Sequence, residues 1–151
     1  MHSRLFQIEK STSLPVEELY ICDPCQIREE CDWFSDTVTW EEDLLSLDKA
    51  LPEGCFTREG NTLTLVKPLD EYLETFLDEV KLTFNLITPK MLGGIEWYKA
   101  MRKLKNNNND FCIYSGYFSR GVPIIKWLME EVSQCKVGDT FKIITIINYH
   151  F

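Results

Sequence analysis

The residues of this 151-residue chain with the most specific chemistry are cysteines: Cys22 and Cys25 in a C-x-x-C pair, then Cys31 and Cys55. Two thiolates at that spacing can share one tetrahedral metal ion. Cys31 would supply a third ligand and Cys55 a fourth, which makes a small structural-zinc domain one reading of the sequence. A second C-x-x-C or a paired histidine is missing, because His2 and His150 stand at opposite ends of the chain. The same dithiol could work as a redox pair. That chemistry needs a thiol whose pKa is lowered at a helix N-terminus, and the residues after Cys25 do not read as a long amphipathic helix. The simplest reading of the six cysteines is as reduced, buried thiols that pack as small hydrophobes. On that reading no metal and no cofactor are expected.

Carboxylates form the second group. Between residues 17 and 48 stand Glu17, Glu18, Asp23, Glu29, Glu30, Asp32, Asp36, Glu41, Glu42, Asp43 and Asp48, with Arg28 as the only basic residue. Trp33, Phe34 and Trp40 lie among them. Net charge is −8, unevenly spread: residues 1–80 hold 19 acidic against 6 basic residues (−13), and residues 81–151 hold 5 against 10 (+5). Crowded carboxylates repel one another unless something uses their field. Duplex DNA carries one negative charge per ~1.7 Å of axis, and a folded acidic surface can occupy a basic nucleic-acid channel in its place. Glu29, Glu30, Asp32, Trp33, Asp36, Glu41, Glu42 and Asp43 are therefore the candidate partner-binding residues, with the tryptophan as an aromatic anchor. The competing reading is of ordinary solvated charge around core tryptophans. Calcium chemistry is a poor fit, since DWFSDTVTWEED lacks the ligand spacing and central Gly of an EF-hand loop.

Lys99, Arg102, Lys103 and Lys105 follow Trp97 and Tyr98 in a basic segment from Lys90. Four charges are few for nucleic acid, so direct nucleic-acid binding is not expected, and the segment reads better as balancing the acidic half. No GxSxG, phosphate-binding loop, GxGxxG or HExxH is present. Gly121-Val122-Pro123 resembles the proline loop opposite a thioredoxin active site, although Pro123 reads as a helix start, where thioredoxins continue into a strand. The composition resembles that of small phage and mobile-element inhibitors, the DNA-mimic proteins of the anti-restriction and anti-CRISPR type that evade host defence. The resemblance implies a non-enzymatic inhibitor whose partner is a protein with a basic, nucleic-acid-binding surface. The alternatives are the zinc domain and, third, the thiol oxidoreductase.

These residues need a scaffold. The clearest element is PLDEYLETFLDEVKLTFNLI, Pro68 to Ile87, where Leu69, Tyr72, Leu73, Phe76, Leu77, Val80 and Phe84 form an apolar stripe on a helix of about five turns. The rest of the chain is expected to cover that stripe. Ser3–Ile8 reads as a strand and Ser13-x-Pro15 as the start of a short helix. Thr39 caps a helix to Leu51 with Glu42 at the capping-box position, and Trp40, Leu44, Leu47 and Leu51 on its inner face. Cys55–Val66 reads as a hairpin turning at Glu59-Gly60-Asn61. Thr88-Pro89 opens a helix to about Lys105, with Ile95 as a later starting point because of Gly93-Gly94. Phe111–Phe118 is a strand, Pro123 opens a helix to about Gln134 with Ile124, Ile125, Leu128 and Val132 facing in, and Phe141–Tyr149 is the best strand and a central one. The fold expected is α+β: a single domain over residues 1–151, with a small mixed or antiparallel sheet packed by about four helices. The N-terminus lacks the apolar run of a secretory signal, and no stretch approaches the ~20 apolar residues of a membrane span. A cytoplasmic protein that does not engage membranes is the expectation.

Overall fold

Thr140–His150, the C-terminal strand of 11 residues, is the axis of the structure. At about 3.3 Å per residue it runs ~36 Å, long enough to carry two different strands along one of its edges. The computed structural model describes residues 2–12, 33–104 and 111–150. The short helix expected after Ser13, the segment from Cys22 as far as residue 32 and the polar loop 106–109 lie outside the described residues. The elements are β1 (His2–Lys10), β2 (Trp33–Asp36), α1 (Trp40–Ala50), β3 (Phe56–Glu59), β4 (Thr62–Leu65), α2 (Asp70–Asn85), α3 (Ile95–Leu104), β5 (Phe111–Tyr114), β6 (Val122–Pro123), α4 (Ile124–Glu130) and β7 (Thr140–His150).

One mixed sheet of seven strands holds them, in the order β3-β4-β7-β1-β5-β6 with β2 also on β7. β1 runs antiparallel to β7 along its length and parallel to β5. On its other edge β7 pairs with β4 through Thr140–Lys142 and with β2 through Ile147–His150. The sheet is thus larger than the small one expected. The chain is α+β as anticipated, and among the described residues it has four α-helices.

A bulge sets the packing of β7. Gln7 lies opposite Thr145 and Ile8 opposite Ile143, which leaves Ile144 without a facing residue. One extra residue reverses the in–out alternation beyond it. Phe141, Ile143 and Ile146 therefore all enter the main core, while Ile147 and Tyr149 join Leu5 and Cys112 in a smaller cluster. Leu44, Leu47 and Leu51 of α1 and Ile124, Trp127 and Leu128 of α4 fill the main core against Phe6, Ile8 and Ile113. Trp127 is fully buried, with its ring centroid 5.5 Å from that of Phe141 and 6.0 Å from that of Phe56.

The long helix does not organise the fold. α2 forms as its periodicity predicts, yet none of its residues is buried. Leu69, just before it, is buried, and Tyr72 and Leu73 touch the core. From there the helix leaves the body: Leu77, Leu82 and Phe84 are exposed by half or more. The core is already occupied by α1 and α4. Periodicity tells which side of a helix is apolar, not what covers it. The helix expected from Thr88 is a 3₁₀ turn at Pro89–Met91, a break at Gly93 with φ +79°, and α3 from Ile95. The strand expected to run from Phe111 to Phe118 stops at Tyr114, and the helix opened by Pro123 stops at Glu130 before a 3₁₀ turn.

Candidate protein-binding face

β2 brings the acidic segment onto the sheet. Trp33 pairs with His150, Phe34 with Tyr149, Ser35 with Asn148 and Asp36 with Ile147. The Thr37 N–H then donates to the Ile146 carbonyl at 3.1 Å, which fixes the turn into α1. Alternation along the strand turns Phe34 toward the smaller cluster. Trp33 keeps 50% of its surface exposed, and Asp36 is exposed. Among the described residues no strand covers the outer edge of β2. Short, charged edge strands avoid indiscriminate pairing, and this one has four residues ending on Asp36.

Past Asp36, the first turn of α1 adds two more acids. Glu41 and Glu42 are exposed, and at the positive end of the helix dipole they are well placed for helix stability too. None of Asp36, Glu41 and Glu42 has an ion-pair partner among the described residues. Two apolar residues join them: Val38 is 93% exposed and Leu45 55%. Sequence reading missed both. Leu45 could have been found, because it falls off the stripe of Leu44, Leu47 and Leu51.

Asp43 does not belong to this face. It is fully buried and paired with the Arg4 guanidinium. It accepts the Thr37 hydroxyl and, at 3.2 Å, the Thr39 hydroxyl. A carboxylate so enclosed is tolerable because it is paired and hydrogen-bonded. It clamps β1 to the start of α1. Thr39 accordingly gives its hydroxyl to Asp43 and makes no side-chain cap bond, and the capping box with Glu42 does not form. Asp48 is likewise committed: Arg58 grips it with contacts of 2.7–3.0 Å. Glu29, Glu30 and Asp32 lie outside the described residues.

The cysteine readings divide in the same way. Cys22, Cys25 and Cys31 lie outside the described residues. Cys55 sits in the main core, and burial pushes its thiol pKa up, away from the thiolate a metal needs. Among the described residues no group of three or more His, Cys, Asp or Glu could hold a metal ion. Pro123 ends β6 and immediately precedes α4, so it starts a helix as read from the sequence.

Another polar cluster links β1 to the turn after β5. Gly116 N–H donates to both Glu9 oxygens at 3.0 Å, and Ser115 Oγ donates to Glu131 at 2.6 Å. Burial raises the Glu131 pKa, the Ser115 hydroxyl opposes the shift, and the Glu9 charge adds to it. Lys10 is paired with Asp139 at 2.7 Å, and burial raises the pKa of the nearby Cys135 thiol. These carboxylates accept from backbone and hydroxyl donors, and among the described residues no activated nucleophile faces them. A cleft of about 390 Å³ between α1 and the β3–β4 hairpin has the Arg58–Asp48 pair in its wall and no His, Cys or Ser in its lining.

The basic segment is only partly described. Lys99 pairs with Glu96 of its own helix at 3.1 Å. No helix among the described residues is long and apolar enough to cross a membrane. No protein-family model, curated protein or solved structure matches the chain.

Proposed function

We propose that this chain is a non-enzymatic inhibitor that binds a basic protein surface through Trp33, Asp36, Glu41 and Glu42, working in the cytoplasm. The observation that carries the reading is the combination, from β2 into the first turns of α1, of three exposed carboxylates without an ion-pair partner among the described residues and three exposed apolar side chains, Trp33, Val38 and Leu45. A merely solvated surface has no need of the apolar members. A recognition face uses both: charge steers encounter and rejects wrong partners, and a desolvated aromatic holds the complex. The further acids at Glu29, Glu30 and Asp32 directly precede β2 in sequence and add to the acidic charge of this segment. A host-defence protein whose basic channel holds nucleic acid is the partner this chemistry fits, and a phage or mobile element is the source that such a role implies.

The test is capture with the immobilised chain from a bacterial lysate, followed by elution with excess duplex DNA. An acidic mimic competes with DNA for one channel, so DNA should release the bound protein. The Asp36→Asn, Glu41→Gln, Glu42→Gln triple variant should capture at least about tenfold less, equivalent to ~1.4 kcal/mol. A captured protein indifferent both to DNA and to the triple variant would sink the reading.

A further inference from the structure

Val38 is the most exposed large apolar side chain among the described residues, at 93%. The short loop that carries it is tied down on both sides. Before it, the Thr37 N–H donates to the Ile146 carbonyl at 3.1 Å; after it, the Asp43 N–H donates to the Thr39 carbonyl at 3.0 Å. The Thr37 and Thr39 hydroxyls both turn inward and donate to the same Asp43 oxygen, while Arg4 of β1 takes the other. The Thr39 N–H donates to Thr37 Oγ1 at 3.2 Å, a local closure that threonine side chains favour in turns. Val38 thus stands between two threonines whose side chains point in, and its own is left in solvent.

The arrangement gives up stability for geometry. Asp43 is fully buried, and the desolvation of a buried ion pair can outweigh its attraction. Thr39 occupies the N-cap of α1 and makes no side-chain cap bond there, although capping is the stabilising use of a threonine at that position. Its hydroxyl fixes the loop instead. The β-branch of valine stiffens the remaining side chain.

We propose that Arg4, Asp43, Thr37 and Thr39 are positioning residues for recognition: they hold Val38 out as a preformed apolar knob for an apolar socket in the partner's basic surface. The role rests on the binding function proposed above and divides its labour. Asp36, Glu41 and Glu42 flank the loop in sequence and steer encounter, whereas Val38 slows escape. A loop ordered before binding loses little conformational freedom on binding, and the gain appears mostly in dissociation.

Nuclear magnetic relaxation of the free chain tests the loop. Backbone order parameters at Thr37, Val38 and Thr39 should lie near the rigid value of ~0.85, and Thr37→Val should bring Val38 below ~0.6 with β7 unchanged. Wild-type values below ~0.6 overturn the proposal even if the variant does not fold. A Thr37→Val loop as rigid as the wild type overturns it as well. The contact is tested on the protein captured from the bacterial lysate. Val38→Thr keeps the side chain's shape and every charge, and should speed dissociation at least about tenfold with association unchanged. Unchanged dissociation, with capture still weakened in the Asp36→Asn, Glu41→Gln, Glu42→Gln variant, overturns the knob and leaves the binding function standing. A wild type that captures nothing removes both.

Discussion

Replacing Asp43 by Asn separates the buried carboxylate from its exposed neighbours more sharply than any other change. The side chain stays the same size and keeps one acceptor for the Thr37 and Thr39 hydroxyls, but its charge is lost and Arg4 is left unpaired. Breaking a buried ion pair costs about 3–5 kcal/mol when the orphaned partner stays buried. Arg4 has 32% of its side chain exposed, so part of its hydration is recovered, and the loss should be about 2–3 kcal/mol. Each kcal/mol lowers the melting temperature of a domain this size by about 2–4 °C, so the midpoint should fall by roughly 4–12 °C. Urea unfolding followed by tryptophan fluorescence should show the same loss as a lower midpoint with an unchanged slope. Glu42→Gln, at an exposed position next in the chain, should change stability by less than about 0.5 kcal/mol. If Asp43→Asn is as mild as Glu42→Gln, the clamp between β1 and α1 is not formed and Asp43 returns to the surface set.

The other predictions concern the core, pH and the cysteines. Trp127→Ala should cost about 3–5 kcal/mol because it empties the centre of the core, whereas Phe76→Ala on the projecting part of α2 should cost about 1 kcal/mol; guanidinium unfolding giving the reverse order would mean that α2 is the buried helix. Glu131 has a raised folded pKa, so its contribution to stability is complete below the ordinary glutamate range near ~4.3 and is lost as pH rises through the folded value. Glu131→Gln should therefore gain on the wild type as pH rises across that window, measured as the difference in urea midpoints; a difference that is constant with pH would rule this out. Elemental analysis of the purified chain should find no stoichiometric zinc, and zinc that disappears with Cys22→Ser and Cys25→Ser would promote the structural-zinc domain.

What the sequence made legible was local. The β-branched, largely apolar run FKIITIINY marked β7 as the central strand, Gly60-Asn61 marked the hairpin, and Pro123 marked the start of α4. Those signals lie within a few residues of the structure they specify. The bulge at Ile144 was not legible, since it depends on how β1 registers against β7. The fate of Asp43 depended on Arg4, 39 residues earlier, so nothing near Asp43 distinguished it from Glu42. Trp127 was missed as a core residue because the helix was read by Ile124, Ile125, Leu128 and Val132. The misjudgement of α2 has the same origin: an amphipathic pattern shows which face is apolar, and the topology packed α1 and α4, not α2, against the main core.

The binding claim is tested most directly by the association rate of the captured partner, measured for the wild type and the Asp36→Asn, Glu41→Gln, Glu42→Gln variant at two ionic strengths. Complementary fields act chiefly on encounter, and the Debye length shrinks from about 10 Å at 0.1 M salt to 3 Å at 1 M. At ~0.1 M salt the variant should associate at least about tenfold more slowly than the wild type, and at ~1 M salt the two should converge, with dissociation rates little changed in both. Equal association rates at low salt, with both proteins folded, would contradict the account and place recognition away from β2 and α1.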